Sequence, residues 1–154
     1  MTDEPSIPSI AFASDHAGVE LKDALIKDAK ALGWEVVDLG PGSTESVDYP
    51  DYAKSLCKWV RAQDGRKGVL ICGSGIGMSM AANRFSDIRA ALCHNGLSAQ
   101  LARRHNDANV LCLGARLIGV DVARDCLAQF ALTNFEAGRH ERRVAKLANL
   151  VPKE

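Results

Sequence analysis

No stretch of this sequence approaches the roughly 20 consecutive apolar residues that a membrane-spanning helix needs, so a bilayer role through helices is not expected. Neither sign of charge dominates, since 19 lysines and arginines stand against 19 aspartates and glutamates. That balance excludes a whole-surface attraction to nucleic acid or anionic lipid, while leaving room for a local basic pocket. Cysteines at metal-ligand spacing are also missing. The five cysteines, at 57, 72, 93, 112 and 126, are odd in number and contain no Cys-x-x-Cys, which argues against a disulfide framework and a zinc ribbon. Free thiols suit a reducing compartment, hence the cytoplasm. Residues 1–8 are polar, lack the basic-then-apolar pattern of a signal peptide, and are expected to form a loose extension. With no repeat, low-complexity tract or linker, residues 9–154 are expected to fold as a single domain.

What is present is globular. At 47% hydrophobic and 25% charged residues, a chain of 154 can bury a substantial core without disulfides or metal. Short apolar runs at 9–13, 35–39, 68–72, 88–93 and 109–114 read as strands. Segments of helical periodicity separate them, at 16–32, 50–63, 78–85 and 97–104, with two more at 120–132 and 139–150. Gly33 closes the first helix. The strands are apolar on both faces, as expected of a parallel sheet covered on both sides. The predicted fold is a single doubly wound, five-stranded parallel α/β sheet, Rossmann-like, with an extra C-terminal helix.

Such sheets carry their sites at the carboxyl ends of the strands. Three of these ends hold unusual residues: Ser14-Asp15-His16-Ala17-Gly18, Cys72-Gly73-Ser74-Gly75-Ile76-Gly77, and Cys93-His94-Asn95. Glycines at 73, 75 and 77 leave a run of amides free to face a negative charge, either a phosphate or a developing oxyanion. A tight turn without a ligand would carry the same glycines, but Cys72 directly before them shifts the balance. Thiols set before a helix start ionise more readily, and a base beside an oxyanion nest is the equipment for removing a proton next to a carbonyl. The other cysteines read as small core residues. Dinucleotide binding is disfavoured: Asp38 ends the second strand where such folds place a ribose-binding acid, yet the first strand-to-helix turn holds Asp15 and His16 instead of glycines. The Asp15-His16 pair at a strand end is expected to be functional. Two further basic segments stay open on spacing alone. Arg103-Arg104-His105-Asn106-Asp107, taken alone, reads more often as a solvated helix end. Arg139 and Arg143, four apart on one helical face, either grip one phosphate or form a solvated face.

Together these segments resemble the type B ribose-5-phosphate isomerases and the bacterial galactose-6-phosphate isomerase subunits. The resemblance runs from Ile10 to Ala148 and adds Asp48-Tyr49-Pro50, Ala81-Ala82-Asn83, Ser98-Ala99-Gln100, His105-Asn106-Asp107-Ala108-Asn109 and Glu136-Ala137-Gly138-Arg139-His140. It implies a sugar-phosphate aldose-ketose isomerase without metal or organic cofactor. Cys72 would be the proton-transferring base and His105 the residue that helps open the sugar ring. Asp15, His16, Gly73, Ser74, Gly75, Ile76, Gly77, Asn106 and Arg116 would contact substrate, and Arg139 and Arg143 its phosphate. Some relatives carry glutamate where this chain has Met78, so the resemblance implies the cysteine variant; Ser74 replaces a threonine and keeps the hydroxyl. Two alternatives share these motifs: a hexose 6-phosphate substrate, or a binding module without catalysis. The topology adds one expectation. His105 comes at the end of a descending helix, far from Cys72 across a strand of about 17–20 Å. A shared site in a homodimer, or a tetramer built from it, is therefore expected.

Overall fold

The computed structural model describes residues 9–150; the expected loose extension at 1–8 lies outside them. Five parallel strands form one sheet in the order β2-β1-β3-β5-β4. They are β1 (Ser9–Ser14), β2 (Glu35–Asp38), β3 (Lys67–Cys72), β4 (Ala90–Leu92) and β5 (Val110–Gly114). The helices are α1 (Val19–Ala31), α2 (Tyr49–Arg61), α3 (Ile76–Ala82), α4 (Gly96–Asn106), α5 (Val120–Leu132) and α6 (Arg139–Leu147).

The period-2 alternation of side chains along a strand divides the core into two layers. Ile10 and Phe12 of β1, Val69 and Ile71 of β3, and Leu111 and Leu113 of β5 face one side with Leu25, Ala99, Cys126, Leu127 and Phe130 of α1, α4 and α5. Ala11 and Ala13, Leu70 and Cys72, and Val110 and Cys112 face the other, with Ala53, Leu56, Cys57, Val60, Met78 and Ala82 of α2 and α3. Both sheet faces are covered, as the apolar strands predict. Four cysteines are core residues, as expected. Cys72 lies in the second layer too, but at its upper rim.

The boundaries differ from the sequence reading in ways that side chains explain. Residues 16–18 form a 3-10 turn capped by Asp15, so α1 begins only at Val19. α3 starts two residues earlier than expected and stops at Ala82, where tight i→i−3 bonds take over: the Arg84 and Phe85 amides donate to the Ala81 and Ala82 carbonyls. β4 is three residues long instead of six. The Asn83 carboxamide bonds both the N–H and the C=O of Ala90, at 2.9 and 3.0 Å, and Asn109 Oδ1 accepts the Arg89 N–H at 2.7 Å. Side chains therefore do what a longer ladder would have done. α6 ends at Leu147 instead of 150.

β1 pairs with β2 on one side and β3 on the other, so the chain leaves β1 and β3 in opposite directions. A crevice opens above that switch point.

Candidate active site

Asp15, at the end of β1, donates its N–H to the Ile71 carbonyl at 3.0 Å, and its carboxylate accepts the Ala17 N–H at 2.9 Å. It is thereby fixed beside the end of β3. His16 Nδ1 accepts the Val47 N–H at 3.3 Å, which leaves the ring proton on Nε2 and ties down the loop between β2 and α2. Asp38 is not free for a ribose. Its Oδ1 accepts from the buried Lys22 Nζ at 2.7 Å and from the Gly40 N–H at 2.9 Å.

Cys72 ends β3 and is 5% exposed. Its Sγ accepts the Gly75 N–H at 3.1 Å, a contact that strengthens when sulfur is anionic. Gly75 has φ +77°, and a Cβ there would come within 2.6 Å of Leu92 Cδ1 and 2.8 Å of the Leu113 carbonyl carbon. Only glycine lets the chain double back toward the thiol. At Gly77 a Cβ would meet the Tyr49 ring at 2.6 Å, so the missing side chain admits Tyr49 as a wall of the crevice. Two bonds from the end of β5 brace the turn: Ala115 N–H to Cys72 O and Arg116 N–H to Gly73 O, both 2.9 Å. The Arg116 guanidinium then lies over Gly73 with no acidic partner among the described residues.

The amides of 73–77 divide into two sets. Gly75 serves Cys72, and the Ile76 N–H donates to Ser74 Oγ at 3.2 Å. Those of Gly73, Ser74 and Gly77 have no partner among the described residues. Three amides of the turn are thus free of intramolecular partners, and two are engaged within the turn itself. The open crevice has a volume of about 620 Å³ and is lined by Asp15, Tyr49, Cys72, Ser74, Met80 and Arg116 among others. A thiol, free amides, a carboxylate and a guanidinium meet there: a base, an oxyanion site and a cation for an anionic substrate. Met78, at the position of the relatives' glutamate, is wholly buried in the core and presents nothing to the crevice.

The remaining predicted residues lie elsewhere. α4 starts at the carboxyl end of β4 and descends to the amino end of β5, so His105 lies about 14 Å below its first turn. There it stacks on His140 of α6, with ring centroids 4.3 Å apart and planes at 14°. Arg139 and Arg143 project nearby on α6, exposed and without acidic partners among the described residues. Asn106 faces a groove shared with Leu147 and Leu150. The predicted residues therefore fall into two groups, an upper one of Asp15, His16, 72–77 and Arg116 at the carboxyl ends of the strands and a lower one of His105, Asn106, Arg139 and Arg143 toward the amino ends.

Other candidates prove structural. Asn95 supplies a helix cap: its Oδ1 accepts the Ser98 N–H at 2.8 Å. Arg103 is buried and satisfied by Asp107 Oδ1, Ala108 O and Thr133 O at 2.9, 2.6 and 3.1 Å. A polar concavity of about 390 Å³ at the amino ends of β3 and β5 is crossed by the pairs Arg61–Asp87, Arg89–Asp107 and Arg103–Asp107. Tyr49, Met80 and Leu117 of the crevice were not assigned roles from sequence. Tyr49 stood within a noted motif, whereas Met80 and Leu117 are apolar and gave no signal. The same holds for Glu136 and His140, noted only as part of a motif. His105, Glu136 and His140 place three ligand-type atoms within 4.8 Å of one another, looser than the roughly 3.3 Å between donors around zinc. The carboxylate is also already engaged by Arg104.

A parallel α/β sheet with a thiol, unpartnered amides and a guanidinium gathered at its switch point has the groups that proton transfer beside a carbonyl would use. The chain belongs to the ribose/galactose isomerase family, whose model matches residues 10–147. It is 43% identical over 135 residues to ribose-5-phosphate isomerase B of Escherichia coli, covering 88% of this chain and 91% of that protein. The solved ribose 5-phosphate isomerase B of Anaplasma phagocytophilum superposes with a TM-score of 0.87 at 51% identity, covering 92% of this chain and 97% of that one. The Mycoplasma genitalium enzyme, solved with bound ribulose-5-phosphate, gives 0.88 at 40% identity over 92% and 94% of the two chains. The chain is thus a sugar-phosphate isomerase by family, and no described helix is long and apolar enough to cross a membrane.

Proposed function

We propose that the protein interconverts ribose 5-phosphate and ribulose 5-phosphate by proton transfer at Cys72. The observation that carries this reading is the thiol facing an open crevice while accepting the Gly75 amide at 3.1 Å. Once the ring is open, the thiolate removes the proton from C2 of the aldose. The C2–H electrons form the C1–C2 double bond and the carbonyl electrons move onto O1, next to the Gly73, Ser74 and Gly77 amides. O2 gives up its proton as O1 gains one, and the Cys72 thiol returns its proton to C1. The residues supply base and electrophile themselves, so no step calls for a metal or organic cofactor.

His105 and the two α6 arginines serve this reaction from a second copy of the chain. α6 supports that assignment, because only its His140 is buried within its own subunit and Leu147 stays exposed. A two-fold dimer would bring the lower group of each copy to the upper group of the other, completing two sites. Five unpaired thiols fit a reducing, cytoplasmic setting. A module that binds without catalysis is disfavoured by the intact Cys72 and His105.

A panel of ribose 5-phosphate, allose 6-phosphate and galactose 6-phosphate tests the substrate. Ribose 5-phosphate should give the highest kcat/KM; preference for a hexose phosphate would reassign the substrate, and no turnover of any would contradict isomerisation. The phosphate assignment predicts that Arg139→Ala or Arg143→Ala weakens binding of inorganic phosphate by about 1.5–3 kcal/mol, the worth of a charged hydrogen bond. Unchanged phosphate binding in both variants would make these arginines a solvated helix face.

A further inference from the structure

Glu136 has no part in the reaction described above, yet it is fastened between groups that do. Its carboxylate pairs with Arg104, and its N–H donates to the Arg104 carbonyl at 3.0 Å, so both ends of the residue are held by the last turn of α4. From there Oε2 lies 3.9 Å from His105 Nε2 and 3.9 Å from His140 Nε2, the two rings that stack at 4.3 Å. Ala137, next in the chain, has φ +55°, a left-handed conformation unfavourable to a residue with a Cβ. That turn folds the segment after α5 back on α4, so that Glu136 and His140 both reach His105.

The charges around this cluster decide which groups can hold a proton. Arg104 approaches from α4, Arg139 and Arg143 from α6, and among the described residues Glu136 is the one carboxylate facing the imidazoles. The hydrogen bond from Arg104 holds the Glu136 carboxyl below its ordinary range, so it stays ionised. Burial, and then the neighbouring His105 and Arg139, hold His140 below the usual imidazole range. A neutral His140 can lie flat against His105 without repelling it. A neutral stacked ring restricts the tilt of the His105 ring, and an anchored carboxylate 3.9 Å from Nε2 favours the tautomer with its proton on that edge.

The geometry points to Glu136 as a positioning residue for His105, fixing the orientation and tautomer in which that imidazole meets the sugar. The inference rests on the ring-opening role given to His105. In that step the C1–O4 bond breaks, the anomeric hydroxyl at C1 loses its proton and O4 gains one, with no net change in protons. An imidazole that accepts at one moment and donates at the next must present one nitrogen reproducibly.

A property of the product separates positioning from mere support. Ribulose 5-phosphate cannot close a furanose, because its C5 oxygen carries the phosphate. Exchange of its C1 proton with deuterated solvent therefore needs Cys72 but no ring opening, whereas turnover of ribose 5-phosphate needs both. Glu136→Gln is expected to slow ribose 5-phosphate turnover at least about tenfold while leaving C1 exchange within about twofold of wild type. Glu136→Asp, which keeps the charge on a shorter arm, is expected to recover part of the loss. Parallel loss of both readouts, equal loss in both variants, or no effect on either readout would overturn the assignment. Absence of C1 exchange in the wild-type protein would instead remove the proposed reaction, and this inference with it.

Discussion

Cys72→Ala is expected to lower kcat for ribose 5-phosphate at least about a hundredfold, the usual effect of deleting a proton-transfer group. The substitution removes one atom at the rim of the core, where Sγ holds a single hydrogen bond from Gly75, so folding should survive it. Substrate affinity should change much less than kcat, because the crevice's other polar groups remain. A chemical experiment gives the same residue a second test. All five thiols are buried, but Cys72 is the one that lines the open crevice. Burial pushes Cys57 up to about 12 and Cys126 up to about 11, and holds Cys93 and Cys112 above the ordinary thiol range. Since alkylation needs the thiolate, those four should react slowly at neutral pH and faster only as pH rises toward those values. Iodoacetamide should therefore label Cys72 first, and substrate should slow the labelling. Preferential modification of Cys57 or Cys126 with activity retained would remove Cys72 from the mechanism.

The strands and the crevice at their carboxyl ends were legible because the same residues serve local and global needs. Short apolar runs without alternation, separated by helical segments, fit parallel strands buried on both faces, and β1, β3 and β5 divide their side chains between two cores accordingly. The glycines at 73, 75 and 77 were legible for a similar reason. Gly75 must take a left-handed conformation, and Gly77 must leave room for Tyr49. The ends of β4 and α3 were not legible, since they depend on Asn83 and Asn109 reaching backbone groups of the 87–90 segment, a tertiary contact that periodicity does not encode. The division of the amides was hidden as well, because only the folded turn reveals that Gly75 points its N–H at sulfur. Glu136 was unreadable as more than a motif member. Its meaning comes from the stack of His105 on His140, thirty-five positions apart in the chain and joined only by the turn at Ala137.

In the proposed reaction, the reacting thiol and the ring-opening imidazole of each site belong to different copies of the chain. Cys72 lies at the carboxyl end of β3, and His105 lies about 14 Å down α4 toward the amino ends, a separation no side chain crosses. Cys72→Ala and His105→Ala should each be nearly inactive alone. After mixing in equal amounts and subunit exchange, random pairing makes about half the dimers mixed, each with one intact site and one doubly altered site, so about a quarter of normal activity should return. Ribose 5-phosphate turnover before and after exchange, with exchange itself followed by mass spectrometry, is the measurement. Recovery near a quarter would support a site built from two copies, whereas no recovery despite demonstrated exchange would place both residues in one subunit and contradict the account.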